Sequence, residues 1–193
     1  METAHGSFRV RYLSIMMAIS TSLMHAQDVA PFPPAPRDVS SIVALVAEDE
    51  PGERLIITGT VYRSDRRTPY EGLVVYFYQT DATGVYNKTN GSWQEPRLRG
   101  WIKTDSKGRY EVRTIKPGSY PNRRDAAHIH VTTKTPDGTP VWLESFLFEG
   151  DPHLTAEDLR KSANAGSFSY VMKAAKGKDN ALRCVRDLAV DSR

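Results

Sequence analysis

The chain has 193 residues, room for one well-buried domain and too little for two. Charged residues make up 25% and hydrophobics 39%, an ordinary soluble balance, and 12 prolines with 13 glycines favour short turns over long helices. The net charge of +3 is too small a bias for a phosphate-tracking surface, and the single cysteine, Cys184, excludes an internal disulfide.

Residues 9–26 have a basic start, a short apolar stretch and a small residue before Gln27. That pattern predicts a signal peptide over residues 1–26 and export to the periplasm or outside, the alternative being a cytoplasmic protein with an extended N-terminus. The stretch is too short to span a membrane. Residues 27–40 contain Pro31-Phe-Pro-Pro-Ala-Pro36 and read as a Pro-rich extended segment, followed by one domain over residues 41–193. Residues 42–47 are expected to be extended, and residues 54–62 and 73–79 are strands, the second apolar enough for burial on both faces. Further strands are expected at 100–104, 109–115, 127–133 and 142–148, between turns such as Asp105-Ser-Lys-Gly108 and Pro136-Asp-Gly138. Thr155 caps a short helix to about Ala163, and late strands follow near 167–173 and 182–188. The fold class is all-β, a single-domain β-sandwich with short helical and loop excursions.

Residues 117–131 gather three potential metal donors, Tyr120, His128 and His130. Alternation along a strand puts His128 and His130 on one face and turns Ile129 into the core. Tyr120 sits in a Pro-Gly-x-Tyr-Pro turn, where two prolines and a glycine hold the backbone. Upstream, Asp81-Ala-Thr-Gly-Val-Tyr86 ends a strand with a turn and presents a second phenol. Taken singly, a His-x-His pair often decorates a polar face, and most tyrosines simply pack or hydrogen-bond.

Five phrases occur in a telling order: Gly84-Val85-Tyr86, Thr104-Asp105-Ser-Lys-Gly108-Arg-Tyr110, Thr114-Ile-Lys-Pro-Gly118-Ser-Tyr120-Pro121, Ala127-His128-Ile129-His130 and Phe148-Glu-Gly-Asp-Pro152. Over roughly residues 50–190 the chain resembles the intradiol ring-cleavage dioxygenases, especially the protocatechuate 3,4-dioxygenase branch. The resemblance implies one non-haem Fe(III) per chain, with Tyr86 and His128 in the equatorial plane and Tyr120 and His130 as the axial pair. It also implies that Tyr120 leaves when substrate binds. The partners implied are a catechol and O2, with no nucleic acid, no membrane span and room for a homo-oligomer. The ring would be cut between its two hydroxyls to a muconate-type diacid. The chemistry agrees, because a hard trivalent ion favours phenolate oxygen, and two tyrosinates with one hydroxide balance its charge without a carboxylate.

The sequence departs from the family where an arginine usually stands three positions before the first histidine. That place holds Asp125, which leaves Arg124, or Arg123, as the nearby cation. The connection from Tyr120 to His128 is short for the family, and a glutamine found in some relatives has no match around Pro140 to Glu144. Two competing readings follow, a non-catalytic β-sandwich binding module and a metal-binding homologue that has lost turnover. His153 reads as a surface histidine, Cys184 as a small buried hydrophobe, and Trp93 and Trp101 as core packing.

Overall fold

The protein is described by a computed structural model covering residues 32–87 and 96–190. The expected signal peptide, residues 27–31 of the Pro-rich segment and Trp93 lie outside the described residues. Among the described residues, no helix is long and apolar enough to cross a membrane.

Strand β2 (Arg54–Arg63) is the spine of the first sheet. Its alternation buries Leu55, Ile57 and Val61, and from Arg54 to Thr60 it pairs antiparallel with β5 (Arg109–Ile115) on one side. β1 (Ile42–Ala44) adds parallel to β5 and ends at a turn, so only half of the expected extended stretch over 42–47 is a strand. On its other side β2 pairs in parallel with two short strands in succession, β10 (Leu182–Val185) and β11 (Leu188–Val190). β9 (Ala175–Lys176) closes that edge.

The second sheet runs β4-β3-β6-β7-β8. β3 (Val74–Gln79) is buried along nearly its whole length, as its continuous apolar run requires, and it lies between β4 (Leu98–Lys103) and β6 (His128–Lys134). β7 (Pro140–Phe148) pairs with β6 across a register shift between Ile129 and Val131. The shift is a bulge of the kind that re-aims a side chain beside a site. Phe77, Ile129, Val131, Phe146 and Phe148 from this sheet pack on Leu55, Ile57, Val61 and Val112 from the other, which makes the β-sandwich core.

One expected late strand, 167–173, is instead a 3-10 turn (Gly166–Phe168) followed by the two-residue β8 (Val171–Met172). Ser169 donates its hydroxyl to the Val171 carbonyl, and such a local bond competes with a ladder. The other, 182–188, is divided between β10 and β11 because Arg186 turns into the core at the break. The helix α1 (Ala156–Ser162) carries the expected Thr155 cap, reciprocated by Asp158. Trp101 packs on Tyr76 with ring centroids 4.9 Å apart and tilted, and its indole N–H donates to the Pro33 carbonyl at 3.1 Å. The Pro-rich segment is thereby held against the second sheet.

Candidate metal centre

Two loops carry the phenols, and each is built onto the other. In the first, the Asp81 carboxylate accepts the amides of Thr83 at 2.9 Å and Val85 at 3.1 Å, closing the turn before Tyr86. Gly84 takes φ +83°, a left-handed conformation that lets it pass against the Ser119 carbonyl of the second loop. The Gly118 amide donates to the Asp81 carbonyl at 2.9 Å, and the Thr80 hydroxyl donates to the Gly118 carbonyl at 2.8 Å. Backbone contacts therefore set the spacing of Tyr86 and Tyr120.

The histidines come from the start of β6, with Ile129 buried between them. The four polar tips converge. The hydroxyls of Tyr86 and Tyr120 are hydrogen-bonded to each other. Tyr120 Oη lies 3.2 Å from His128 Nε2 and 3.4 Å from His130 Nε2. His130 Nε2 lies 2.9 Å from Tyr86 Oη, and the two Nε2 atoms are 3.0 Å apart. Donor atoms at such mutual distances match ligands around a common ion at about 2 Å.

The proton count points the same way. His128 Nδ1–H donates to the Ala126 carbonyl at 2.7 Å, which leaves a bare lone pair on Nε2. His130 Nδ1 faces the Ser145 hydroxyl at 3.4 Å, a contact in which that hydroxyl either accepts from Nδ1–H or donates to it. With the proton on Nδ1, two phenol protons serve four acceptor atoms and two imidazole lone pairs confront each other, an arrangement that a central cation would relieve. Burial, together with the hydrogen bond to Tyr120, pushes the Tyr86 phenol well above its usual range, and burial also raises Tyr120. Burial lowers His128, and burial plus the neighbouring His128 lowers His130 to about 3. Left alone, the cluster is neutral with both phenols protonated; a multivalent cation would reverse this for the phenols. Among the described residues no group of three or more His, Cys, Asp or Glu side chains gathers, so any ion here would depend on the phenols.

Tyr78, paired with His130 across β3 and β6, stacks on its ring at 4.5 Å. Trp142 on β7, paired with Thr132, lies 5.5 Å from the His130 ring and stays 40% exposed. Ser145 completes the surroundings of His130. The sequence reading singled out none of these three, although alternation on β3 carries Tyr78 to the face of His130. Of the two arginines expected nearby, Arg123 faces the phenols: its guanidinium lies 5.6 Å over the Tyr120 ring and is tethered to Asp125 at 2.6 Å. Arg124 is exposed and lines an open groove of about 250 Å³ with Asp125, His128, Ser145 and His153. His153 is half-buried there, apart from the converging four.

The fold and the paired tyrosines and histidines together define a β-sandwich protein with a phenol-imidazole centre. A sequence family described as Dioxygenase matches residues 32–191. The chain belongs to the intradiol ring-cleavage dioxygenase family. It is 31% identical over 124 residues to catechol 1,2-dioxygenase 1 of Acinetobacter lwoffii, covering 54% of this chain and 39% of that protein. It is 29% identical over 137 residues to the protocatechuate 3,4-dioxygenase beta chain of Burkholderia cepacia, covering 59% and 58%. The chain thus spans about two fifths to three fifths of these curated relatives. Among solved structures, the dioxygenase domain of a dioxygenase carbohydrate-binding protein fusion from Streptomyces sp. SirexAA-E shares the fold at TM-score 0.61 and 24% identity, over 83% of this chain and 95% of that one. An intradiol ring-cleavage dioxygenase from Tetranychus urticae does so at TM-score 0.57 and 20% identity, over 85% and 92%.

Proposed function

We propose that the protein is a mononuclear non-haem Fe(III) dioxygenase that opens a catechol ring between its two hydroxyls with O2, giving a muconate-type diacid. The observation that carries this reading is the convergence of Tyr86, Tyr120, His128 and His130 on one point. A binding module has no need of that arrangement. Names among the relatives, catechol 1,2-dioxygenase and protocatechuate 3,4-dioxygenase, support the substrate class.

Tyr86, Tyr120, His128 and His130 would hold the ion, which when bound supplies Lewis acidity for both catechol oxygens and makes the ring reactive toward O2. Tyr120 Oη touches both imidazoles, and as the tyrosinate that a bound ion would favour it would take a proton from an arriving catechol hydroxyl and turn outward as a neutral phenol. Arg123, over the Tyr120 ring but paired with Asp125, would be the nearest cation to that phenol, where the family arginine is replaced by Asp125. Tyr78 and the Ala126 carbonyl hold the imidazoles in place.

The deciding experiment is aerobic purification, measurement of iron and of the visible tyrosinate-to-Fe(III) band, and oxygen uptake across a catechol panel. One iron per chain, colour and oxygen consumption are expected. Colour without oxygen uptake would leave a metal-binding homologue that has lost turnover, and absence of both would end the proposal. Export, resting on residues 1–26, is tested by N-terminal sequencing of protein recovered outside the cytoplasm, and homo-oligomerisation by light scattering.

A further inference from the structure

His128 and His130 are oriented by different means. The first is fixed by a main-chain carbonyl, Ala126, at 2.7 Å, which no substitution of a side chain removes directly. The second has at its Nδ1, among the described residues, a side-chain hydroxyl, Ser145, at 3.4 Å, across the bulge where the β6–β7 register breaks. An irregular ladder holds a residue less firmly, so something else must keep Ser145 in place.

Arg186 does this from the opposite sheet. Its Nη1 donates to the Ser145 carbonyl at 2.9 Å, and its guanidinium lies 4.0 Å over the ring of Phe146, the next residue of β7. Arg186 is 3% exposed, whereas its neighbour Val185 is 60% exposed. Alternation that turns an arginine inward and a valine outward reverses the usual partition, and burying a guanidinium carries a desolvation cost. Arg186 Nε has no hydrogen-bond partner among the described residues, so the side chain is not there for its own satisfaction. Local rules broken at a cost mark functional positions.

We propose that Arg186 and Ser145 are positioning residues which together lock the His130 ring, with its Nδ1–H on the Ser145 hydroxyl and its Nε2 lone pair aimed at the centre. The proposal rests on the reading of the cluster as a metal centre. Through this relay the break between β10 and β11 controls how well a metal ion is held. Outer partners of ligating histidines act by fixing the tautomer and ring angle, and their loss weakens metal affinity by about 10–100-fold.

The test uses the full chain as wild type, Ser145→Ala, Ser145→Thr and Arg186→Lys. Fe(III) affinity is measured by chelator competition, the visible band by absorbance, and the imidazole tautomers of the metal-free protein by ¹⁵N NMR. Ser145→Ala is expected to weaken Fe(III) binding by about 10–100-fold, to shift the band and to mix the His130 tautomers while leaving His128 unchanged. Ser145→Thr, which keeps the hydroxyl, restores all three. Arg186→Lys keeps the charge but loses the planar fork, and is expected to move the same readouts in the same direction. Wild-type affinity, band and His130 tautomer in Ser145→Ala would overturn the proposal while leaving the metal centre standing. If wild type binds no iron and the His130 tautomer still answers to Ser145→Ala, the relay stands and the dioxygenase reading falls. Should Arg186→Lys fail to fold, the two Ser145 variants decide.

Discussion

Gly84→Ala tests whether contact between the two tyrosine loops builds the centre. An added Cβ would land on the Ser119 carbonyl, 2.8 Å from its carbon, and 3.2 Å from Pro121 Cδ. Carbon pairs rest at about 3.5–4.0 Å, so the loops must part by roughly 1 Å. Alanine at φ +83° adds a backbone cost of about 1–2 kcal/mol. Tyr86 follows its loop away from Tyr120, and a misplacement of about 1 Å costs about 10²-fold in rate. Gly138→Ala is the control, since it has a similar φ of +89° with nothing within 4 Å of the added atom. Both variants are expected to lose thermal stability, but only Gly84→Ala should lose iron, visible colour and turnover. Iron content equal to wild type, with turnover within about twofold, would refute the loop-contact argument.

Other outcomes follow from the same geometry. Tyr86→Phe or His128→Ala is expected to abolish iron colour, whereas His153→Ala keeps it; full colour in either of the first two would show the ligands misassigned. His130 falls from 6.5 to about 3 in the fold, so the unfolded chain binds that proton first. Its contribution to the stability of metal-free protein is complete above 6.5 and is lost as pH falls toward 3, by up to about 1.4 kcal/mol per unit. Urea midpoints measured from pH 7.5 down to 5.5 check this, and a flat profile would contradict the buried neutral imidazole. Arg123→Ala should lower kcat/KM about two- to fivefold through loss of the exposed cation over Tyr120, with Arg124→Ala near wild type. The reverse order in steady-state kinetics would make Arg124 the relevant cation.

Much of the fold was legible because its signals are local. Alternation in Arg109–Ile115, continuous apolarity in Val74–Gln79 and the Thr155 cap each specify their own element. The four converging side chains were legible for a related reason: three lie within residues 120–130, and the turn before Tyr86 announces itself through Asp81 and Gly84. What stayed hidden depends on register. Ser145 and Trp142 reach His130 only through the β6–β7 pairing, whose shift at Ile129/Val131 has no local signature. The role of Arg186 was not legible because nothing in Leu182–Val185 or Leu188–Val190 shows that the chain places an arginine under β7. Trp101 was expected in the core, whereas it is half-buried outside it, against Tyr76 and the Pro-rich segment through Pro33.

The parallel pairing of β10 and β11 with β2 has a consequence for biosynthesis. Leu55 finds its partner Leu182 only after 127 further positions have been made. Until then the central strand of the first sheet offers a bare hydrogen-bonding edge to anything nearby. A nascent chain of this design depends on Leu182–Val190 to seal that edge, so a chain cut short before them would be prone to self-association.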